Sequence, residues 1–330
     1  MASESLTEKV LKLLCEKSAK ARSMAKQAML EEKTGVKKVD EAVEQYLSRW
    51  DDTTRPGMLA LACEAVGGNP EEAVPLQAAL LFIDATMDIH DDIIDESIAK
   101  KNRKTLYGKI GKEATLLLGD VFMVKGFNHL HKALENLPKD RSLQIIDEVN
   151  RFLSEVVQAH ILEATLKAKK WKVKPETYFK ILTKKASDIE ARMKIGAICG
   201  GGSAENVEAL SKYGRNIGIL LAVKSDFVDI FEPSELMHRI KYEVLPLQVL
   251  YALQNRKNGT RIREILQKDC LSKEDCDKLI ETICATKEVI LLNKLLNKLE
   301  KEAIQALNAL SNSRTKEGLQ LLAASLTEDL

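Results

Sequence analysis

Several common features are scarce in this 330-residue chain. Its six cysteines (Cys15, Cys63, Cys199, Cys270, Cys276, Cys284) are scattered, with no Cys-x-x-Cys pair and no paired histidines at zinc spacing. That excludes a zinc ribbon, and the cysteines read as reduced, mostly buried small hydrophobes. Net charge is almost nil, 50 basic against 49 acidic residues. No global field exists for nucleic acid or an anionic membrane, and any polyanion site must be local. No apolar run reaches the length of a membrane span, and the start, Met-Ala-Ser-Glu-Ser, lacks the basic-then-apolar layout of a secretion signal. The expectation is a soluble cytoplasmic protein. High Lys and Glu content beside 5% aromatics accords with a heat-adapted source.

Alternating or β-branched runs bounded by turns are also scarce, whereas apolar residues recur at helical spacing almost everywhere. The chain reads as all-α. Breaks are predicted at Lys33–Gly35, Trp50–Pro56, Gly67–Pro70, Leu137–Asp140, Trp171–Pro175, Cys199–Ser203, Glu232–Ser234 and Asn255–Gly259. They leave helices of roughly 15 to 30 residues, longer than the globular average. Ser272-Lys-Glu-Asp275 has the form of a capping box, and Pro175-Glu176 suits a first helical turn. Long helices joined by short turns predict a large antiparallel bundle around a central active-site cavity, formed as one domain over residues 1–330. With no 34- or 40-residue self-similarity, a helical solenoid is not expected.

What the chain does have is a peculiar acidic stretch, Asp84-Ala-Thr-Met-Asp88-Ile-His-Asp91-Asp92-Ile-Ile-Asp95. On a helix at about 100° per residue, Asp84, Asp88, Asp91 and Asp95 share an arc of roughly 60°, with Asp92 beside it. Like charges at that spacing repel, so the stripe requires water, cations or basic partners. Leu80, Leu81, Phe82, Ile83, Ile89, Ile93 and Ile94 make the other faces apolar, as in a core helix lining a cavity. Clustered carboxylates suit hard Mg²⁺. A second apolar run, from Gly218, ends in Lys224-Ser225-Asp226-Phe-Val-Asp229, with Asp226 and Asp229 on one helical face. Two acidic helices could hold Mg²⁺ and, through it, phosphate. A diphosphate also needs basic donors, and candidates are Lys100, Lys101, Arg103, Lys184, Lys185, Lys224, Arg239 and Lys241.

In order and spacing, Asp91-Asp-Ile-Ile-Asp95 with Lys100-Lys101, then Gly119-Asp120, Lys185, the Gly218–Asp229 segment and Lys241 to Leu245-Pro246 resemble the trans-prenyl diphosphate synthases, or polyprenyl synthetases. The likeness spans about residues 40–255, leaving helices at 260–330 to complete the bundle. The resemblance implies an isoprenoid-synthase bundle, Mg²⁺ as cofactor and an allylic prenyl diphosphate as substrate. By position it implies Asp91 and Asp95 as the main metal ligands and catalytic groups, supported by Asp92, with Asp226 and Asp229 in the second motif. It implies Lys185 as a further catalytic group, and Lys100, Lys101, Lys185, Lys224 and Lys241 as diphosphate donors. Thr86, Met87 and Asp88 would gauge chain length. A homodimer, or pairing with an active prenyl diphosphate synthase, is the implied assembly.

The departures concern the second substrate, isopentenyl diphosphate. Its expected Gly-Gly-Lys-Arg-x-Arg-Pro grip stands here as Trp50-Asp51-Asp52-Thr53-Thr54-Arg55-Pro56, and an expected histidine is Asp84. Ser225 replaces the second motif's first aspartate. A carboxylate about 4 Å from a diphosphate charge would cost on the order of 4 kcal/mol at an effective dielectric of about 20. Asp52, Arg55 and Asp84 are therefore read as a degenerate second-substrate site. The leading expectation is an enzyme that ionises an allylic diphosphate and lets the cation cyclise, rearrange or be trapped, as class I terpene synthases do. The alternatives are a divergent chain-elongating prenyltransferase and a non-catalytic partner subunit of an active synthase.

Overall fold

The structure is a computed structural model, and it describes residues 5–100 and 103–328. In chain order the α-helices are α1 (Leu6–Glu31), α2 (Lys37–Leu47), α3 (Thr54–Ala65), α4 (Val74–Ile94), α5 (Leu106–Ile110), α6 (Lys112–Leu134), α7 (Lys139–Leu166) and α8 (Pro175–Lys185). They continue as α9 (Ser187–Cys199), α10 (Ala204–Val228), α11 (Pro233–Tyr242), α12 (Leu247–Ala252), α13 (Gly259–Leu266), α14 (Lys273–Cys284), α15 (Lys287–Ala306) and α16 (Arg314–Ser325). The fold is all-α. Among the described residues the sheet content is one antiparallel hairpin, β1 (Ala99–Lys100) and β2 (Arg103–Lys104).

The expected helix signals operate. Ser272 and Asp275 cap each other's backbone N–H groups at the start of α14, and Pro175 opens α8. Ser5 and Glu8 make a further capping box on α1. Helices prove shorter and more numerous than the sequence suggested. Lys185 and Ser187, for example, belong to different helices, because the chain bends at Ala186 without any proline or glycine to announce it.

Two compact units are present. The first comprises residues 1–150, 191–211 and 307–322, and the second residues 151–190, 212–306 and 323–330. In the first, α4 packs along α6, and α1 lies against α3 and α4. Ala78, Leu81, Phe82, Ala85 and Ile89 of α4 join Ala25 and Met29 of α1 and Phe122 of α6 in one buried cluster. Burial on that scale stabilises by about 1.5–3 kcal/mol per large apolar side chain. Two glycines set how closely the helices approach. A Cβ on Gly119 would lie 2.5 Å from His90 Nε2, holding α6 tight against the acidic end of α4. A Cβ on Gly196 would lie 2.3 Å from the Leu59 carbonyl oxygen, so α9 can touch α3 only because that position lacks a side chain. In the second unit, α12 contacts α8, α13, α14 and α15.

Candidate active site

The acidic helix ends abruptly. Asp95 caps α4, the Ser97 N–H bonds to the Asp92 carbonyl at 2.8 Å, and the Glu96 N–H bonds to Ile93 at 3.3 Å. This is a Schellman closure, and Glu96 (φ 52°) occupies the left-handed position that glycine usually takes. Holding a β-carbon residue there costs about 1–2 kcal/mol, which accords with a functional constraint on the turn. Immediately beyond it, the β1–β2 hairpin folds Lys100, Arg103 and Lys104 back toward the carboxylates.

The result is a cavity of about 510 Å³ within the first unit. Asp88, Asp91 and Asp92 lie on its acidic side, with Arg49, Lys100, Arg103, Lys104 and Lys109 among its basic lining. Lys100 Nζ lies 2.7 Å from Asp92 Oδ1. Trp50 Nε1 donates to Asp88 Oδ2 at 2.9 Å, and its ring stacks on Tyr46, whose hydroxyl is buried. Burial raises the Asp88 carboxyl above the usual carboxylate range against the pull of Arg55 and Trp50. Asp92 is likewise raised by burial, although Lys100 opposes the shift. For Lys100, burial works against the ammonium, yet Asp92, Asp91 and Asp88 hold its pKa above the ordinary value. Acids and bases gathered on one cavity wall are groups that a cation-bound polyanion could engage together.

The predicted chain-length residues divide. Thr86 is fully buried, and its hydroxyl donates to the Phe82 and Gly119 carbonyls at 3.0 and 3.1 Å, so it serves the α4–α6 contact. Met87 is half-buried, and Asp88 lines the cavity just described.

Asp84 and Asp52, the two carboxylates expected to repel a second diphosphate, are both ion-paired. Asp84 is 4% exposed and faces Arg192, itself 1% exposed, with Nη2 2.5 Å from Oδ1. Arg55 Nε lies 3.8 Å from the same oxygen. Asp52 accepts the Thr54 and Arg55 N–H groups at 3.0 and 3.1 Å, capping α3, and takes Arg55 Nη1 at 2.8 Å. The structure has two acids and two arginines in one chain of ion pairs, so the repulsion is largely cancelled. Arg192 was missed, though a signal existed: it shares a helical face with Ile189, Met193 and Gly196, and an arginine there must find a buried acid.

In the second unit, Asp226 is 5% exposed and carries Arg239 rather than an open coordination face. Arg239 Nη1 lies 2.8 Å from both Asp226 Oδ1 and Asp229 Oδ2. Burial raises the Asp226 carboxyl even beside that guanidinium. Tyr178 donates its hydroxyl proton toward Glu163 or Asp226, at 3.2 and 3.4 Å. Lys185 forms an ion pair with Glu163. Burial alone would raise Glu163, but Lys185, with Arg239 and His160, holds it below its ordinary value. Lys224 donates to the Ser325 carbonyl at 3.0 Å, and Lys241 Nζ sits 4.8 Å from the centre of the Tyr242 ring. Lys101 lies outside the described residues. Where Asp226 and Asp229 were expected as metal ligands, and Lys185 and Lys224 as diphosphate donors, the structure shows groups engaged within the protein.

The sequence pattern described as polyprenyl synthetase matches residues 36–283. The chain belongs to the polyprenyl synthetase family. Over 188 residues this family member is 35% identical to the geranylgeranyl diphosphate synthase of Methanosarcina mazei, and that stretch covers 57% of each chain. It is 28% identical to the short chain isoprenyl diphosphate synthase of Methanothermobacter thermautotrophicus, over 68% of this chain and 70% of that one. Among solved structures, the geranylgeranyl pyrophosphate synthetase of Pyrococcus horikoshii superposes with a TM-score of 0.84 at 24% identity, covering 98% of this chain and 99% of that one. The polyprenyl synthase of Caulobacter crescentus, complexed with calcium and isoprenyl diphosphate, superposes at 0.80 with 19% identity over 99% and 98%. The isoprenoid-synthase fold expected from the resemblance is therefore present. These relatives are prenyl diphosphate synthases, and they give the terpene-synthase expectation no support.

Proposed function

We propose that this protein is a prenyl diphosphate synthase that lengthens an allylic diphosphate by condensation with isopentenyl diphosphate. The observation that carries the reading is the first unit's cavity, where Asp88, Asp91 and Asp92 share a lining with Arg49, Lys100, Arg103, Lys104 and Lys109. Among the described residues no three acids or histidines converge closely enough to hold a metal ion by themselves, so Asp91, with Asp92 beside it on the cavity and Asp95 at the end of α4, would hold Mg²⁺ jointly with the substrate's diphosphate. When bound, the ion would supply Lewis-acid charge to the leaving diphosphate. The protein's own part is electrostatic. The basic lining accepts the departing diphosphate, and the apolar flanks of α4 keep water from the allylic cation. Paired with Asp84 and Asp52, Arg192 and Arg55 make the second diphosphate's approach neutral rather than repulsive, which supports chain elongation over cation cyclisation. The relatives' activities are those of geranylgeranyl and short-chain isoprenyl diphosphate synthases, so products of that size are the ones proposed.

Purified protein with Mg²⁺ and geranyl, farnesyl or geranylgeranyl diphosphate, each with and without isopentenyl diphosphate, tests the reading. A longer prenyl diphosphate should appear only when isopentenyl diphosphate is present. Hydrocarbon or alcohol released without it would return the terpene-synthase reading.

One observation favours a second reading, a partner subunit of an active synthase: the second acidic motif is tied up by Arg239. A relative at 29% identity is a heterodimeric geranylgeranyl pyrophosphate synthase large subunit of Arabidopsis thaliana, matched over 60% of this chain and 56% of that one. No turnover alone, with tight binding to an active synthase, would support that reading. Leu117, Val121 and Val124 form an exposed apolar stripe on α6, a surface suited to contact with a second copy or a related chain on either reading. Among the described residues no helix is long and apolar enough to cross a membrane.

A further inference from the structure

The second acidic cluster does not fit a divalent ion, and we infer that the Arg239 guanidinium takes the place of a cation there, confining metal binding to the cluster around Asp91. The inference deepens the prenyl-synthase reading and rests on it.

Its basis is the geometry of one nitrogen. Arg239 Nη1 bridges Asp226 Oδ1 and Asp229 Oδ2 at 2.8 Å each, as a shared cation would bridge two carboxylates. Nη2 donates to the Tyr178 hydroxyl at 3.1 Å and faces the Val244 carbonyl at 3.4 Å, while Nε faces Glu243 Oε2 at 3.5 Å. The remaining Asp226 oxygen accepts the Leu247 N–H at 3.1 Å. Both Asp226 oxygens thus point at donors from the protein. Mg²⁺ demands six oxygens near octahedral geometry at about 2.0–2.1 Å and keeps several waters, which a carboxylate 5% exposed against an arginine 6% exposed leaves no room for.

Local folding makes the arrangement permanent. Asp226 and Asp229 straddle the end of α10, where Pro233 then starts α11, and α11 carries Arg239 back over both acids. The Leu247 N–H at the start of α12 and Tyr178 of α8 close the remaining sides. A guanidinium does not lose its proton in proteins, so the positive charge between the two acids is present at every working pH. Ser225, which stands where the resemblance places another metal-binding aspartate, is exposed and adds no charge.

Bound Mn²⁺ counted by electron paramagnetic resonance, with full-length protein and methylenediphosphonate, tests the assignment. Asp229→Asn should bind as many Mn²⁺ ions as the parent protein, and Arg239→Lys likewise. Arg239→Gln should bind one more. Loss of an ion in Asp229→Asn, or no gain in a folded Arg239→Gln, overturns the inference. Should circular dichroism show Arg239→Gln unfolded, Asp229→Asn decides alone, because Asp229 is the partly exposed member of the pair. Asp91→Asn separates the two readings: an unchanged ion count there defeats the metal assignment of the first cluster, whatever Asp229→Asn shows.

Discussion

Replacing Arg192 by methionine isolates the charge compensation on which the second-substrate argument turns. The pair is sealed, with side chains 1% and 5% exposed and 2.5 Å between Nη2 and Asp84 Oδ1. At that separation the gross attraction is about 7 kcal/mol for an effective dielectric of about 20. Desolvation of the two ions takes several kcal/mol each, so the intact pair contributes little net stability. Removing only the arginine keeps the carboxylate's desolvation cost while deleting its principal counter-charge. The expected loss is about 3–5 kcal/mol, against a total of about 5–15 kcal/mol for an ordinary domain. Asp84→Leu/Arg192→Met, which removes both charges at similar volume, should lie within about 2 kcal/mol of the parent protein. Urea unfolding followed by circular dichroism measures Arg192→Met, the other single variant Asp84→Leu and the double variant against the parent protein, and the double-mutant cycle gives the coupling. In turnover assays the single variant should raise KM for isopentenyl diphosphate more than for the allylic substrate, because Arg55 is then drawn to Asp84. An Arg192→Met protein within 1 kcal/mol of the parent, with an unchanged KM ratio, would refute the reasoning.

Asp91→Ala and Asp95→Ala should each abolish turnover while leaving the helical circular dichroism spectrum intact, and full activity in either would refute its metal role. Gly196→Ala must push a methyl group against the Leu59 carbonyl, so its unfolding free energy should fall by about 1–3 kcal/mol and its melting temperature with it. Glu163 has a folded-state pKa below its unfolded one, so its contribution is present above the ordinary carboxylate value of 4.5 and disappears as pH falls through the depressed value. Glu163→Gln should accordingly lose less stability than the parent protein between about pH 5 and pH 3 in acid titrations of unfolding. Asp226 is raised and works with the opposite sign, its folded form losing stability as pH rises through its value, so Asp226→Asn should flatten that part of the curve instead.

Helix-forming periodicity, capping residues and glycine breaks needed no tertiary information, since each acts within a turn or two of chain. Ser272 with Asp275 capped a helix, and Gly201 left the helical track between α9 and α10, where the glycine run predicted a break. The bend at Ala186 went unread because nothing local demands it. The acidic α4 was legible for the same reason as the caps: five carboxylates on a helix of apolar residues violate burial rules unless something answers them.

What answers them belongs to the tertiary structure. Asp84 and Arg192 stand 108 residues apart, and Tyr178 and Arg239 61 apart. Nothing in spacing along the chain reveals that an acid has been met by a base of its own. Sequence alone determined the all-α fold, the family and the place of the first acidic cluster, because helix periodicity and a short motif are local quantities. Only the packing of α9 on α3, and of α11 over the end of α10, brought Asp84 to Arg192 and Asp226 to Arg239. Charge compensation is a property of distance in space, and glycines such as Gly196 set that distance.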